Sequence, residues 1–289
     1  MNDFLLSILL GIVEGLTEFL PVSSTGHLRI VEALFKLNLH DSFWKMYTIV
    51  IQLGAILALP VYFWNRILKL LSTFPKGERG DRSFLSHPLT LTMIAFVVTA
   101  IPAWALTKVI GKNLESLWVI TIALIIGGIV MWIVDAIFTR PFVTHMEEMN
   151  LPQAIWIGAC QILSAVFPGT SRSMSTIAAG QIAGLSRPAA LEFSFFLSMP
   201  TMVVATLYDL YKTLKPSHDE AVDGNLAPLT MDAHGWIVLA IGFVISFIVA
   251  LAVVAWFMNW VRQRGFVPFA VYRIVLGIVL VILLTRGLI

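Results

Sequence analysis

Two stretches of the chain combine ionisable side chains, hydroxyls and a proline within otherwise apolar sequence. The first runs from Gly11 to His27 and the second from Gly158 to Ser173, and the two resemble each other. A charged side chain inside a hydrophobic span costs several kcal/mol, so it indicates a functional site until a structural role is found for it. These two stretches therefore carry most of the functional information in the sequence.

The first stretch contains two acids, Glu14 and Glu18, that lie four residues apart. On a helix their carboxylates share one face and can converge on one cation or one proton. Carboxylates that face a phosphate site suit Mg²⁺ or Ca²⁺, which prefer hard oxygen ligands. The alternative is a pair that is neutralised by protonation, or one that caps a neighbouring helix. The spacing predicts that Glu14 and Glu18 are metal ligands or an acid and base.

Hydroxyl residues follow Pro21 and predict the start of a second half-helix. The free N–H groups and the dipole of such a start favour an anion, although N-capping explains Ser23, Ser24 and Thr25 equally well. His27 lies three residues after Ser24 on the same helical face, so it could exchange a proton with that hydroxyl or attack phosphorus. A lone histidine in an apolar segment is more often only hydrogen-bonded.

The second stretch has the composition of a phosphate cradle. Gly169 lets the backbone approach a ligand closely, and the guanidinium of Arg172 binds phosphate in bidentate fashion. This guanidinium could instead pair with Glu14, Glu18 or Glu192, and the two roles can coexist because an empty anion site often rests in an ion pair. The predicted substrate-binding residues are Ser23, Thr25, Gly169, Thr170, Ser171, Arg172, Ser173 and, one turn further on, Thr176.

Four more polar side chains lie within apolar spans. Side chains of this kind most often join helices by hydrogen bonds and need no catalytic role. They are Gln52, Gln161, Glu192 and Arg273.

The elements that position these residues are membrane helices. Of the 289 residues, 58% are hydrophobic and 12% are charged, against about 25% charged in an ordinary soluble domain, so the fold class is an all-α polytopic membrane protein. Apolar runs long enough to cross the hydrocarbon layer predict six transmembrane helices. Their ranges are 43–65, 89–110, 117–138, 189–211, 236–260 and 267–287.

Two further apolar stretches, 4–35 and 151–185, are each interrupted by a proline and hydroxyl residues. Because proline breaks the hydrogen-bond ladder of a helix, each stretch is predicted to be a re-entrant hairpin of two half-helices. The chain would then be a tandem repeat of residues 1–140 and 150–289, each with one hairpin and three crossings. An odd number of crossings inverts the second repeat, and inverted repeats place their working site near the midplane.

Loop charges predict the orientation. The loop 66–87 is rich in Lys and Arg and the loop 212–234 is rich in acids, so the positive-inside rule places the first in the cytoplasm. Both termini and the open side of the first hairpin then face outward. Since the N-terminus has no basic n-region and the apolar run after it contains Glu14, no removable signal peptide is expected.

The net charge and the cysteine count argue against one kind of partner and two kinds of structural feature. A net charge of +2 is too small to argue for a nucleic-acid partner. Cys160 is the only cysteine, which excludes an intrachain disulfide and a structural thiolate metal site.

These motifs together resemble a known family. Glu14-x-x-x-Glu18, the run from Leu20 to His27, and Pro168-Gly-x-Ser-Arg-Ser-x-x-Thr176 are similar to the signature motifs of the undecaprenyl-diphosphate phosphatases, the bacitracin-resistance proteins of bacterial inner membranes. The resemblance covers nearly the whole chain and includes Tyr272-Arg273. One departure is Met174, where the family more often shows glycine.

The resemblance implies hydrolysis of undecaprenyl diphosphate to the monophosphate carrier used in cell-wall synthesis, among membrane lipids. It assigns Glu14 and Glu18 to the divalent cation or to acid–base chemistry, Ser24 and His27 to nucleophile and proton relay, and Arg172 to the diphosphate. The resemblance leaves open whether Ser24, His27 or water attacks the phosphorus. It also leaves open whether the protein forms a homodimer. The rival hypothesis is a polyprenyl-phosphate transporter or flippase, since such a carrier would share a midplane anion site.

Overall fold

The computed structural model describes residues 2–35, 37, 42–77, 80, 82–114, 116–214 and 231–288, and within these ranges it contains helices and turns but no β-strand. The α-helices of the described ranges are α1 Asp3–Thr17, α2 Ser24–Leu34, α3 Ser42–Tyr62, α4 Trp64–Ser72, α5 Pro88–Ala105, α6 Thr107–Leu114, α7 Leu117–Ile137, α8 Leu151–Val166, α9 Arg172–Ile182, α10 Arg187–Leu214, α11 Ala233–Gln263 and α12 Val267–Thr285.

Six of these helices are long and apolar enough to cross a membrane, which confirms the predicted all-α polytopic fold. They are α3, α5, α7, α10, α11 and α12. The predicted span 89–110 ends early, at Ala105, because the next segment is the separate helix α6, whose Lys108 and Lys112 do not suit a hydrocarbon layer.

Both proline-interrupted stretches are pairs of short helices joined by a turn. The pairs are α1 with α2 and α8 with α9, and the helices of each pair contact each other. The longest of them, α8, has 16 residues and extends about 24 Å, less than the about 30 Å of a hydrocarbon core. Their entry into the membrane as re-entrant hairpins stays a prediction, with which these lengths are compatible.

The two turns are built alike. Ser23 precedes α2 with φ 74°, and Ser171 precedes α9 with φ 70°, and no other described residue apart from glycine has a positive φ. Each serine also caps its helix, because its Oγ accepts a hydrogen bond from the amide three residues later, that of Gly26 or Met174. This likeness is compatible with the proposed repeat, whose division and inversion stay predictions.

Small residues let the first helix of each pair lie against a long crossing helix. A Cβ at Gly11 would lie 2.8 Å from the carbonyl oxygen of Gly242, and one at Gly15 would lie 2.7 Å from that of Ser246, so α1 packs backbone to backbone on α11. Gly158 of α8 meets Ala95 of α5 in the same way. Close backbone contact is how helices associate where lipid offers no hydrophobic driving force.

Orientation depends partly on residues outside the described ranges. Lys36, Glu78, Arg79, Asp81 and the acidic stretch 215–230 all lie there. The direction of insertion predicted from the loop charges therefore stays a prediction.

A buried acid at the end of α7 ties four segments together. Asp135, 2% exposed, accepts hydrogen bonds from Arg187 Nε at 2.6 Å, Gln181 Nε2 at 3.1 Å and the Phe266 amide at 2.9 Å. It thereby connects α7 to the end of α9, the start of α10 and the turn before α12.

We expect Asp135→Ala to destabilise the protein by about 2–4 kcal/mol, because it leaves three donors without an acceptor, one of them a guanidinium. Thermal unfolding in detergent measures the effect. Asp3→Ala is the matched control, since the Asp3 side chain is 52% exposed and its contact with His234 is worth about 0–1 kcal/mol. Equal melting temperatures for the two variants would contradict the assignment.

Candidate active site

The site begins with a buried arginine that joins the two turns. Arg273 of α12 is fully buried, and its Nη1 donates to the carbonyl of Pro21 at 3.0 Å while its Nη2 donates to that of Gly169 at 2.9 Å and to that of Ala123 at 3.1 Å. Turn carbonyls in an apolar interior need such donors, because an unpaired buried carbonyl is costly. One guanidinium thus fixes the distance between the two turns.

A serine adds a second link between the turns. Ser173 Oγ donates to the carbonyl of Leu20 at 3.0 Å and also lies 3.0 Å from Ser171 Oγ. Gly169, with φ 98°, is required at its position because a Cβ there would collide with the carbonyl oxygen of Ile120. The backbone of the second turn therefore packs directly against α7.

The joined turns bring an acid of the first stretch to the arginine of the second. Arg172 Nη2 donates to Glu18 Oε1 at 2.9 Å, although the residues are 154 positions apart. The other oxygen of Glu18 accepts a hydrogen bond from Ser24 Oγ. The structure brings these three predicted site residues together, and of the three acids named as possible partners of Arg172 it is Glu18 that forms the ion pair. Glu192 instead pairs with Arg66, with Nε and Oε1 2.7 Å apart.

Several buried polar atoms of this group have no hydrogen-bond partner among the described residues. They are both carboxylate oxygens of Glu14, which is fully buried, and Nη1 of Arg172. Buried polar atoms are normally paired, so each exception needs an explanation. A cation beside Glu14 and an anion beside Arg172 would satisfy all three atoms.

His27 has partners that differ from the predicted one. Its Nδ1 lies 2.7 Å from the Ser23 carbonyl and its Nε2 lies 2.6 Å from the hydroxyl of Tyr272. Since a carbonyl can only accept, Nδ1 carries the proton, and Nε2 of the neutral ring accepts from Tyr272. The hydroxyl of Ser24 is bonded to Glu18, so in this structure Glu18, and not His27, is placed to take its proton.

Among the remaining predicted substrate-binding hydroxyls, that of Thr176 makes hydrogen bonds within the protein, whereas those of Thr25 and Thr170 make none to described residues. Thr176 Oγ1 donates to the Arg172 carbonyl at 3.0 Å and contacts Ser194 Oγ at 2.6 Å, so this side chain joins α9 to α10. The Thr25 and Thr170 side chains are half-buried and make no hydrogen bond to described residues. Thr25 and Thr170 are therefore the hydroxyls of this set that are open to a ligand.

Two residues of α12 contribute more to the site than their sequence pattern indicates. Arg273 is predicted to join helices by hydrogen bonds, whereas in the structure it donates hydrogen bonds to both turns. The signal that indicates such a special role is the position of an arginine within an apolar span. Tyr272 entered only through the family resemblance, because a half-exposed tyrosine near a helix start carries no signal of its own. The prediction for Gln161 is confirmed, since its Nε2 donates to Thr99 and Thr201.

The ranges matched by known proteins include both turns. A family model described as bacitracin resistance protein BacA matches residues 7–279. An undecaprenyl-diphosphatase of Koribacter versatilis (strain Ellin345) is 66% identical over 279 residues, which cover 96% of this chain and 97% of the relative. An undecaprenyl-diphosphatase of Caldanaerobacter subterraneus subsp. tengcongensis is 40% identical over 290 residues, covering 100% of this chain and 99% of the relative.

We expect Arg273→Lys to loosen both turns, because an ammonium is a compact point charge that does not span three carbonyls as the guanidinium fork does. Hydrogen–deuterium exchange read by mass spectrometry should become faster in peptides that contain residues 20–23 and 168–171. The control is Arg286→Lys at the exposed end of the same helix, which should leave both peptides unchanged. Unchanged exchange in Arg273→Lys would show that other contacts hold the turns.

Proposed function

This chain belongs to the bacitracin resistance protein BacA family, and we propose from this premise that it is an integral membrane phosphatase that hydrolyses undecaprenyl diphosphate to undecaprenyl phosphate and phosphate. The reaction recycles the lipid carrier of cell-wall synthesis and confers bacitracin resistance. The contact that carries the proposal is the meeting of Glu18 with Arg172 and Ser24 between the two turns.

Arg172 supplies the binding of the diphosphate. Its Nη2 is held by Glu18, while its Nη1 is buried without a partner among the described residues and is ready to donate to a phosphate oxygen. The first amides of α9 and the open hydroxyl of Thr170 are further donors in the same turn. Donors that are fixed before the reaction stabilise the charge that develops on the transferring phosphoryl group.

Glu18 and Ser24 supply the candidate nucleophile and base. Because Ser24 Oγ already donates its proton to Glu18, the carboxylate can accept that proton as the oxygen attacks the terminal phosphorus. The bond from phosphorus to the bridging oxygen then breaks, and the polyprenyl monophosphate leaves. Water would hydrolyse the phosphoserine. A water molecule held by Glu18 is the alternative nucleophile.

His27 is placed for proton transfer at the edge of the site. Its Nε2 is bonded to the hydroxyl of Tyr272, so a proton can pass between these two side chains. We assign His27 and Tyr272 to the relay that protonates the leaving phosphate oxygen, in place of the predicted exchange between His27 and Ser24.

The acids fit a divalent cation, Mg²⁺ or Ca²⁺. Glu14 has two buried oxygens without partners and lies one helical turn from Glu18, so these two carboxylates would hold the ion. No cluster of three or more His, Cys, Asp or Glu side chains suited to a metal occurs among the described residues, so phosphate oxygens and water would complete the coordination. The ion would offset the negative charge of the diphosphate.

We propose the bacterial inner membrane as the location of the protein. The site would open to the periplasmic face, because the loop charges predict both termini on the outer side. A homodimer stays a prediction. The transporter hypothesis is less favoured, since transport gives no reason for a hydroxyl bonded to a carboxylate beside a phosphate-binding arginine.

Arg172→Ala and Glu18→Ala should each lower phosphate release from undecaprenyl diphosphate by about 100-fold or more, since each removes a group that acts on the transition state. The assay is release of phosphate by the purified protein in detergent, with thermal unfolding to verify the fold. Arg264→Ala is the control, because this arginine is exposed and stacks on Trp260. Wild-type turnover in either site variant would refute the assigned roles.

Chelation should abolish phosphate release, and Mg²⁺ or Ca²⁺ should restore it, because Glu14 and Glu18 would hold an ion that offsets the charge of the diphosphate. Each cation should also raise the melting temperature of the wild type, as ligands of the folded state do. Glu14→Gln should abolish that rise. Glu32→Gln should retain it, since Glu32 is equally buried but pairs with Arg29 at 3.1 Å. Full activity in excess chelator would remove the metal from the mechanism.

A further inference from the structure

An apolar groove lies beside the turn that carries the candidate phosphate cradle. Its volume is about 570 Å³, within the range of about 300–1,000 Å³ that ligand pockets occupy. Helix α7 forms one wall, α8 forms the other, and α9 forms the floor. Thr170, two residues before Arg172, lines the groove, so the groove borders the turn that leads to Arg172.

The side chains give the groove a hollow floor and a raised rim. Small residues deepen the groove, Gly127 on the α7 wall and Ala178 and Ala179 on the floor, whereas large side chains such as Ile126 and Leu163 stand at the rim, 56% and 51% exposed. Small residues cannot be replaced freely here, because a Cβ at Gly127 would collide with the Arg273 guanidinium. The result is a depression that a flexible hydrocarbon chain can enter from the lipid.

The polarity of the groove changes along its length. Its hydroxyls, on Thr170 and Ser175, lie on the turn and in the first turn of α9, and Ser175 Oγ is occupied by a hydrogen bond to the Ser171 carbonyl at 3.1 Å. Apart from the thiol of Cys160, the remaining lining side chains are hydrocarbon or thioether. The groove therefore matches a molecule with a phosphate at one end and a long apolar chain at the other.

We propose that this groove binds the isoprenoid tail of the substrate and aligns its diphosphate with Arg172. The inference rests on the proposed phosphatase function and adds the subsite for the apolar half of the substrate. Because lipid tails are as apolar as the groove, the tail gains little free energy by leaving the lipid. The groove contributes alignment instead, which lowers the barrier by presenting the terminal phosphorus in a reactive geometry.

Filling the groove tests the proposal. Ile126→Trp and Leu163→Trp should lower kcat/KM for undecaprenyl diphosphate about tenfold or more, and should lower kcat/KM for isopentenyl diphosphate much less, because its five-carbon chain is too short to extend along the groove. Ile248→Trp on α11 is the matched control, since Ile248 is 58% exposed and lies outside the groove. Groove variants that equal the wild type with both substrates, or that lose equally with both, overturn the proposal.

Photo-crosslinking locates the bound tail directly. A polyprenyl phosphate with a diazirine in its tail should attach to wild-type residues within 119–130 or 160–182, and Ile126→Trp should prevent this. Adducts confined to other helices, or spread evenly as for surrounding lipid, overturn the proposal. So does a change of Ile126→Trp from dimer to monomer, which would identify a second copy of the chain as the occupant. A wild type that fails to release phosphate but crosslinks at the groove would refute the phosphatase function and leave the tail site standing.

Discussion

The arrangement of the whole site depends on one buried guanidinium that is bonded to backbone carbonyls. Arg273 contacts Pro21 of one turn, Gly169 of the other and Ala123 of α7, at 2.9–3.1 Å. Two broken helices leave polar backbone in an apolar interior, which is stable only if donors are supplied. Arg273 by itself donates hydrogen bonds to both turns. The side chain that stabilises the two helix breaks therefore also sets the distance between them.

The separation of the turns decides the electrostatics of the site. Glu18 arrives on the first stretch and Arg172 on the second, and their ion pair forms because the turns are held together. The site contains the carboxylates of Glu14 and Glu18 and the guanidinium of Arg172. Both oxygens of Glu14 and one nitrogen of Arg172 have no hydrogen-bond partner among the described residues. In the proposed function, a diphosphate that arrives with Mg²⁺ or Ca²⁺ would supply an anion for Arg172 and a cation for Glu14.

The sequence was sufficient for the features that depend on local pattern. Six apolar spans, two broken helices and the candidate site residues within them could be predicted, because hydropathy, proline and buried charge are visible in short windows. The acid that pairs with Arg172 stayed open among Glu14, Glu18 and Glu192, and the structure shows that it is Glu18. Partner choice was harder, since Asp135 and Arg273 bind groups up to 252 positions away and no window contains both partners. His27 shows the same limit. Its helical spacing to Ser24 favoured a relay, yet Tyr272, 245 positions further on, takes its Nε2.

Helix α7 contacts both the apolar groove and the arginine that joins the two turns. A Cβ at Gly127 would meet both the guanidinium of Arg273 and the Cε of Met174, so α7, the arginine that joins the turns and the floor of the groove share one tightly packed contact. A close-packed interior transmits a displacement instead of absorbing it. A tail that shifts α7 outward would therefore move a carbonyl acceptor of Arg273, that of Ala123, and with it the distance between the turns. Because of this contact, the seating of the apolar chain and the alignment of the phosphate-binding groups depend on each other, although the two subsites differ in chemistry.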